Sequence, residues 1–173
     1  MLSLGIALIT IDGKIVDTLN VNIKKREDAK ENPNTMNWWK TQPLAWELCH
    51  QNMVSAQEAM SLVAIFYKKY SSAYKLVWIA SPVCFDWMFL KSYYEAFAPP
   101  NSPDIGFKAT CISTLRDCAI KCKIISNREY HKMIASIPSG TEHVALDDAK
   151  CQGRIFINLT KLIQQKSTLS KTE

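Results

Sequence analysis

Lys75-Leu76-Val77-Trp78-Ile79-Ala80, then Ser81-Pro82, then Val83-Cys84-Phe85-Asp86-Trp87-Met88-Phe89-Leu90 is the stretch on which the fold class depends. Its first part is a short apolar run holding Val77 and Ile79, which reads as a buried strand; from Phe85 to Phe97 the apolar and aromatic positions take helical spacing. Ser81-Pro82 punctuates the two. A strand feeding a helix through a tight corner is the building unit of an α/β fold. Asp86 falls in the first turn of that helix, at the end of the sheet where open α/β folds build their sites. An acid there is also what the helix dipole favours without any functional role.

Upstream, Leu2 to Ile11 is apolar, Asp12-Gly13 supplies a tight turn, and strict alternation follows, so a β-hairpin is predicted. Ile15, Asp17, Leu19, Val21 and Ile23 share one face and Lys14, Val16, Thr18, Asn20 and Asn22 the other; Asp17 interrupts the apolar side. Residues 24–34 are polar, carry Pro33, and read as a loop. Trp38 and Trp39 begin a helical stretch that Pro43 interrupts or restarts, giving two short helices. Ser55 with Glu58 forms a capping-box signature, followed by a helix to about Tyr70. Downstream, the prolines at 99, 100 and 103 make 98–107 a loop, Cys111–Lys121 reads as helix, and 126–139 as short helix and loop. Thr141 is a candidate cap for a final helix to about Gln164. The order β-β-α-β-α-α-α predicts an α/β domain over residues 1–165, with an antiparallel hairpin joined to a strand–helix unit, and a polar tail at 166–173.

The 173 residues, 47% hydrophobic and 21% charged, suit one ordinary core. Five Trp, six Tyr and six Phe exclude a disordered chain. Asp12, Lys75, Asp86 and Lys91 interrupt every candidate membrane span, and Met1-Leu2-Ser3-Leu4-Gly5 lacks the start of a secretory signal. An intracellular protein, cytoplasmic or nuclear, with no membrane partner is expected. The six cysteines read as free thiols in a reducing compartment, and Cys118/Cys122 lack the second pair of a zinc site. A net charge of +5 permits attraction to polyanions without specifying one.

Two acidic segments carry the chemistry. Besides Phe85-Asp86 there is Gly140-Thr141-Glu142-His143-Val144-Ala145-Leu146-Asp147-Asp148-Ala149. His143 and Asp147 at i,i+4 can form an ordinary helix-surface pair. His143 and Asp148 would diverge by about 140° inside one regular helix. They converge only if His143 lies before or at the fraying start of that helix, which the Gly140-Thr141 signal allows.

Phe85-Asp86 after a strand, Thr114-Leu115-Arg116-Asp117 in between, and Gly140-Thr141-x-His143-x-Ala145-Leu146-Asp147-Asp148-Ala149 near the end together resemble the DEDDh 3′–5′ exonucleases of the ribonuclease H-like superfamily. The likeness is to the branch of phage and mycobacterial exoribonucleases related to RNase T. Leu4-Gly5-Ile6-Ala7, Thr35-Met36-Asn37-Trp38-Trp39 and Ser55-x-x-Glu58-Ala59 add to it, over most of residues 2–163. The resemblance implies a ribonuclease H-like fold with a mixed central sheet, and hydrolysis at the 3′ end of single-stranded RNA or DNA. It implies Asp86 and Asp148 as ligands of two divalent cations, Mg²⁺ or Mn²⁺, His143 as the general base, and a homodimer. Such cations, about 3.5–4 Å apart, neutralise the charge that develops on a phosphodiester and demand carboxylate oxygens; a histidine suits the base role. Phe85 and Trp87 could stack on terminal bases, or simply pack in the core. Asp117 and Asp147 read as structural acids.

The family's first motif, Asp-x-Glu on a strand ahead of the segment beginning Met1-Leu2, is not found. Asp12 and Asp17 lie in the turn and the following strand. Two aspartates and a histidine are expected to bind metal poorly, and loss of an interior strand to leave unpaired sheet edges. Three outcomes fit: residues 2–11 pair with 75–80, the natural protein starts upstream of Met1, or the site has decayed. An in-frame Asp-x-Glu upstream in the encoding DNA would decide for the second. A non-catalytic nucleic-acid-binding or protein-interaction module is the alternative reading, with salt-sensitive, cation-independent binding. A cysteine hydrolase using His50, His131 or His143 is a third reading, for which no Cys-His signature is present.

Overall fold

A computed structural model describes residues 1–169. Among them are four strands and seven helices, a mixed α/β arrangement. β1 (Ser3–Ile9) and β2 (Ile15–Asn22) form the antiparallel hairpin, in register from Ser3↔Asn22 to Leu8↔Asp17 with an irregularity between Leu8 and Ile9. The connection is wider than a two-residue turn. Thr10 and Lys14 close it, with Thr10 N–H donating to the Lys14 carbonyl at 2.9 Å, and Gly13 takes φ +99°, which a side chain would resist. Val21 and Ile23 on the inward face are buried. Asp17 on the same face is not a flaw in the pattern, because Lys69 and Tyr70 at the far end of the next long helix take up its carboxylate.

Residues 24–34 are not all loop. Asn32 caps α1 (Pro33–Trp39) by accepting from the Asn34 and Thr35 amides at 2.9 and 3.3 Å. Pro33 sits in the first turn, where its missing N–H costs nothing. Trp38 and Trp39 therefore end the first short helix rather than begin it, and Pro43 opens α2 (Pro43–Cys49). Asn22 at the end of β2 donates to the Leu48 and Gln51 carbonyls at 2.8 and 2.7 Å, satisfying groups that the end of α2 leaves open. α3 (Ala56–Ser71) starts at Ser55, whose hydroxyl accepts from the Glu58 amide, and buries Ala56, Ala59, Met60, Val63 and Ala64 against β2 and α4.

β3 is shorter than expected (Trp78–Ala80) and pairs in parallel with β4 (Ala109–Cys111), a strand that the proline-rich surroundings concealed. α4 (Val83–Phe97) follows β3, and α5 (Ile112–Lys121) follows β4 directly. Trp78 Nε1 donates to the Ile105 carbonyl at 2.9 Å and Tyr94 Oη to the Pro103 carbonyl at 2.8 Å, which fixes the intervening connection. α6 (Asn127–Ala135) carries a full capping box between Ser126 and Glu129. α7 (Ala145–Leu169) begins after Val144, not at Thr141, and runs into the residues expected to be tail; 170–173 lie outside the described residues.

The expected single central sheet is not present among the described residues. There are two small sheets, β1-β2 and β3-β4, and residues 2–11 do not shift to pair with β3. No described strand joins them, so α7 does. It lies so close to β1 that a Cβ at Gly5 would fall 2.2 Å from the Ala145 carbonyl oxygen, and one at Gly153 would fall 2.3 Å from Ile9 Cδ1. One apolar cluster fills the space between β2, α3 and α4, and a second, around Ile112, Ala119, Ile125 and Leu159, lies between α5 and α7.

Candidate active site

The corner after β3 and the start of α7 meet at one place. Gln152, one turn into α7 from Asp148, grips the backbone of Ser81: its Oε1 accepts the Ser81 amide at 3.0 Å and its Nε2 donates to the Ser81 carbonyl at 3.4 Å. Ser81 precedes a cis bond to Pro82, which caps α4. Asp86 follows in the first turn of α4, beside the corner that Gln152 holds. Gln152 thus ties the start of α7 to the corner from which α4 departs.

His143 stands just outside α7 in the left-handed region, at φ +63°. A non-glycine residue there is uncommon and has to be held by its surroundings. Two contacts provide this. The Thr141 amide donates to Asp147 Oδ2 at 3.1 Å, and Gly140, at φ +72°, is packed so close to Asp147 that a Cβ would lie 2.9 Å from that residue's own. Asp147 therefore organises the turn that delivers His143. The His143 imidazole lies within the field of the Asp148 carboxyl.

The electrostatics follow from this crowding. Asp86 keeps much of its surface open while its carboxyl is half enclosed by protein. Its pKa is raised, first by removal from water and then by the negative charge of Asp148, against the hydrogen bonds from Gln152 and Ser81. Asp148 is raised as well, first by burial and then by Asp147 and Glu142, with His143 opposing. No ion pair to Lys or Arg involves Asp86 or Asp148 among the described residues.

Asp148 is therefore within electrostatic reach of both Asp86 and His143, although the three do not form a group able to hold a metal ion. Phe85 is 60% exposed and meets Phe89 edge to face at 5.0 Å, whereas Trp87 points the other way and packs on Trp78 at 5.4 Å within the core. Gln152 was detectable in principle, because i,i+4 puts it on the face of Asp148. Trp38 lies with its ring centroid 4.8 Å from that of His143, and nothing local in the sequence announces that contact.

The site does not fit a pair of divalent cations. Two carboxylates converge, and no group of three or more His, Cys, Asp or Glu side chains able to hold a metal ion occurs among the described residues. A hard cation that keeps six or more oxygen ligands needs further anionic donors to displace its water. The cysteine pairing is no better. Cys49 Sγ lies 3.3 Å from His50 Nδ1, yet both atoms are within reach of the Trp46 carbonyl, so Nδ1 serves as a donor, and burial pushes the thiol up. No described helix is long and apolar enough to cross a membrane.

A family model described as the 3′-5′ exoribonuclease Rv2179c-like domain matches residues 1–160. No curated protein matches the chain.

Proposed function

Since the chain belongs to the 3′-5′ exoribonuclease Rv2179c-like domain family, we propose that it removes mononucleotides from the 3′ end of single-stranded RNA, with His143 as general base beside Asp86 and Asp148, on a ribonuclease H-like fold. The observation that carries this reading is the meeting of the corner before α4 with the start of α7, tied by Gln152 to Ser81, which sets Asp148 within electrostatic reach of Asp86 and shortly after His143. His143 takes a proton from the water that attacks the terminal phosphodiester. The bond from phosphorus to the 3′ oxygen of the penultimate nucleotide breaks, and that oxygen takes up a proton from solvent. Asp148 steadies the imidazolium as it forms, the kind of pairing that keeps a base correctly charged.

Mg²⁺ or Mn²⁺ would neutralise charge on the phosphate in such chemistry. Asp86 and Asp148 offer two oxygen donors toward that task, and the described residues do not complete a site for two ions. That same shortage favours a second reading, a domain that binds single-stranded nucleic acid without cutting it.

The experiment is to incubate the protein with 5′-labelled single-stranded RNA, and separately DNA, in Mg²⁺ or Mn²⁺. The proposal expects the RNA to shorten stepwise from its 3′ end, and His143→Ala to slow this by about 10²- to 10⁴-fold. RNA that is bound in a salt-sensitive way, left uncut, and indifferent to the cation would overturn it in favour of the binding module.

A further inference from the structure

The charges of α7 are segregated along its length. Its acids, Asp147 and Asp148, lie in the first turn, and from Ala149 to Leu169 there is no Asp or Glu but four cations, Lys150, Arg154, Lys161 and Lys166. At 3.6 residues per turn Lys150, Arg154 and Lys161 fall within about 40° of one another, while Lys166 lies on another side of the helix, where Glu129 takes it up. The row of three is only partly balanced. Lys150 has Asp147 at 3.9 Å, Lys161 Nζ donates to the Asp12 carbonyl at 3.4 Å in the hairpin turn, and Arg154 has no ion pair among the described residues.

The hairpin shows what this row faces. A Cβ at Gly5 would meet Ala145, and Ile9 Cδ1 lies where a Cβ at Gly153 would be, so Gly5, Ile9 and by alternation Ala7 turn toward α7. Their cross-strand partners share that face: Asn20 is opposite Gly5 and Thr18 opposite Ala7. Because α7 lies over β1, these β2 positions stand beside the helix rather than under it. Asn20 is exposed, and neither its amide nor the Thr18 hydroxyl has a hydrogen-bond partner in the protein among the described residues. The other flank of α7 is occupied, with Gln152 on Ser81 and Leu159 packed with Ile112 and Ala119. The flank of Lys150, Arg154 and Lys161 is therefore the one turned toward β2, and the reach of Lys161 to the hairpin turn agrees. The result is a trough with a polar floor and a basic wall. It starts beside Asp147, which organises the turn of His143, and from Asp148 to Lys161 it follows α7 for about 20 Å, at 1.5 Å per residue.

We propose that this trough holds the sugar–phosphate backbone of single-stranded RNA on the 5′ side of the nucleotide being removed, with Arg154 and Lys161 pairing with phosphates and Thr18 and Asn20 hydrogen-bonding to the strand. This rests on the exoribonuclease reading and assigns a path to its substrate. A line of cations with open hydrogen-bonding groups at its foot suits a polyanion, and contacts to phosphate carry no sequence information, so RNA of any sequence is gripped alike. At roughly 3.4 Å per stacked nucleotide, the trough takes about six.

The test is fluorescence anisotropy of a 5′-fluorescein-labelled single-stranded RNA of about twelve nucleotides, in a chelating buffer with KCl from about 50 to 200 mM. Arg154→Gln and Lys161→Gln should each weaken binding about fivefold at the low-salt end and reduce the slope of log K against log salt by about 0.7. Lys166→Gln removes the same charge from the other side of the same helix and should change neither quantity; Arg154→Lys should keep most of the affinity. Arg154→Gln and Lys161→Gln that bind as the wild type does would overturn the proposal, as would an equal loss in Lys166→Gln or no binding of RNA by the wild type. If the first two variants lose affinity as expected but the wild type leaves RNA whole in the ladder assay with Mg²⁺ or Mn²⁺, the exoribonuclease reading falls and the trough stands. Stepwise cleavage with binding indifferent to both variants would do the reverse.

Discussion

Asp17 and the pair Asp86–Asp148 are the same chemical group in opposite circumstances. Asp17 lies on the inner face of the hairpin, where the Lys69 ammonium at 2.9 Å, the Tyr70 hydroxyl and the Thr18 amide at 2.8 Å converge on it. Those hydrogen bonds, Tyr70 first, hold its pKa at about 2. At the candidate site, partial burial and neighbouring carboxylates push Asp86 and Asp148 the other way, and neither has a Lys or Arg paired to it among the described residues. One acid is consumed by folding; the other two are held in place with an unmet demand for positive charge. A perturbed acid pair without a Lys or Arg partner marks a candidate functional site.

Substitutions test this contrast, and the largest effect is expected at the pair. Asp148→Asn should reduce release of nucleotides from the 3′ end of RNA by about a hundredfold or more, as when a group stabilising a charged transition state is removed. Its melting temperature should match or exceed that of the wild type, because a burdened charge is gone. A variant that unfolds more easily and still cuts RNA would place Asp148 with Asp17 among the structural acids.

Next in size is Gln152→Ala, which deletes the two contacts to the Ser81 backbone. A loss of roughly 1–3 kcal/mol in stability is expected from groups left unpaired, together with weaker cleavage. If positioning is the cause, Gln152→Glu should restore less activity than stability, since a carboxylate can accept the Ser81 amide yet adds a third negative charge beside Asp86. Equal restoration of both would make Gln152 a structural residue alone.

Asp17→Asn should leave RNA cleavage unchanged and lower the denaturation midpoint at neutral pH. The sign with pH separates the two kinds of acid. Asp17 is depressed in the fold, so its stabilisation is complete above the ordinary carboxylate pKa and fades as pH falls toward about 2. Asp86 is raised, so the native state binds more protons than the unfolded chain between the ordinary and the raised value. Stability there rises as pH falls, and the advantage of Asp86→Asn over the wild type should shrink in acid. Denaturation of the two variants across the acid range checks the pair of opposite slopes; parallel slopes would erase the distinction.

Where one element decides its own structure, the sequence was readable. The Ser55 cap and apolar spacing of α3, the alternation of β2 and the aromatic run of α4 all settle locally. The spacing of His143 and Asp148 required the histidine to precede the helix, and it stands before α7 at positive φ. What was not readable depends on partners. β4 is three residues long, too short for any period, and exists because β3 lies beside it. Pro33 looked like a loop residue because its tolerance at a helix start depends on Asn32 as cap. The division into two sheets, the grip of Gln152 on Ser81, and the contact of Trp38 with His143 join residues far apart in the chain, where no local pattern records them.

The account stands on Asp86 and Asp148 sharing one site. The direct measurement is an NMR titration of the Asp86 carboxyl carbon in the wild type and in Asp148→Asn. Asp86 should titrate above the ordinary carboxylate range in the wild type and move downward once its neighbour's charge is removed. An Asp86 titration that is identical in the two proteins would mean that the carboxylates do not feel each other, and the proposed active site would be contradicted.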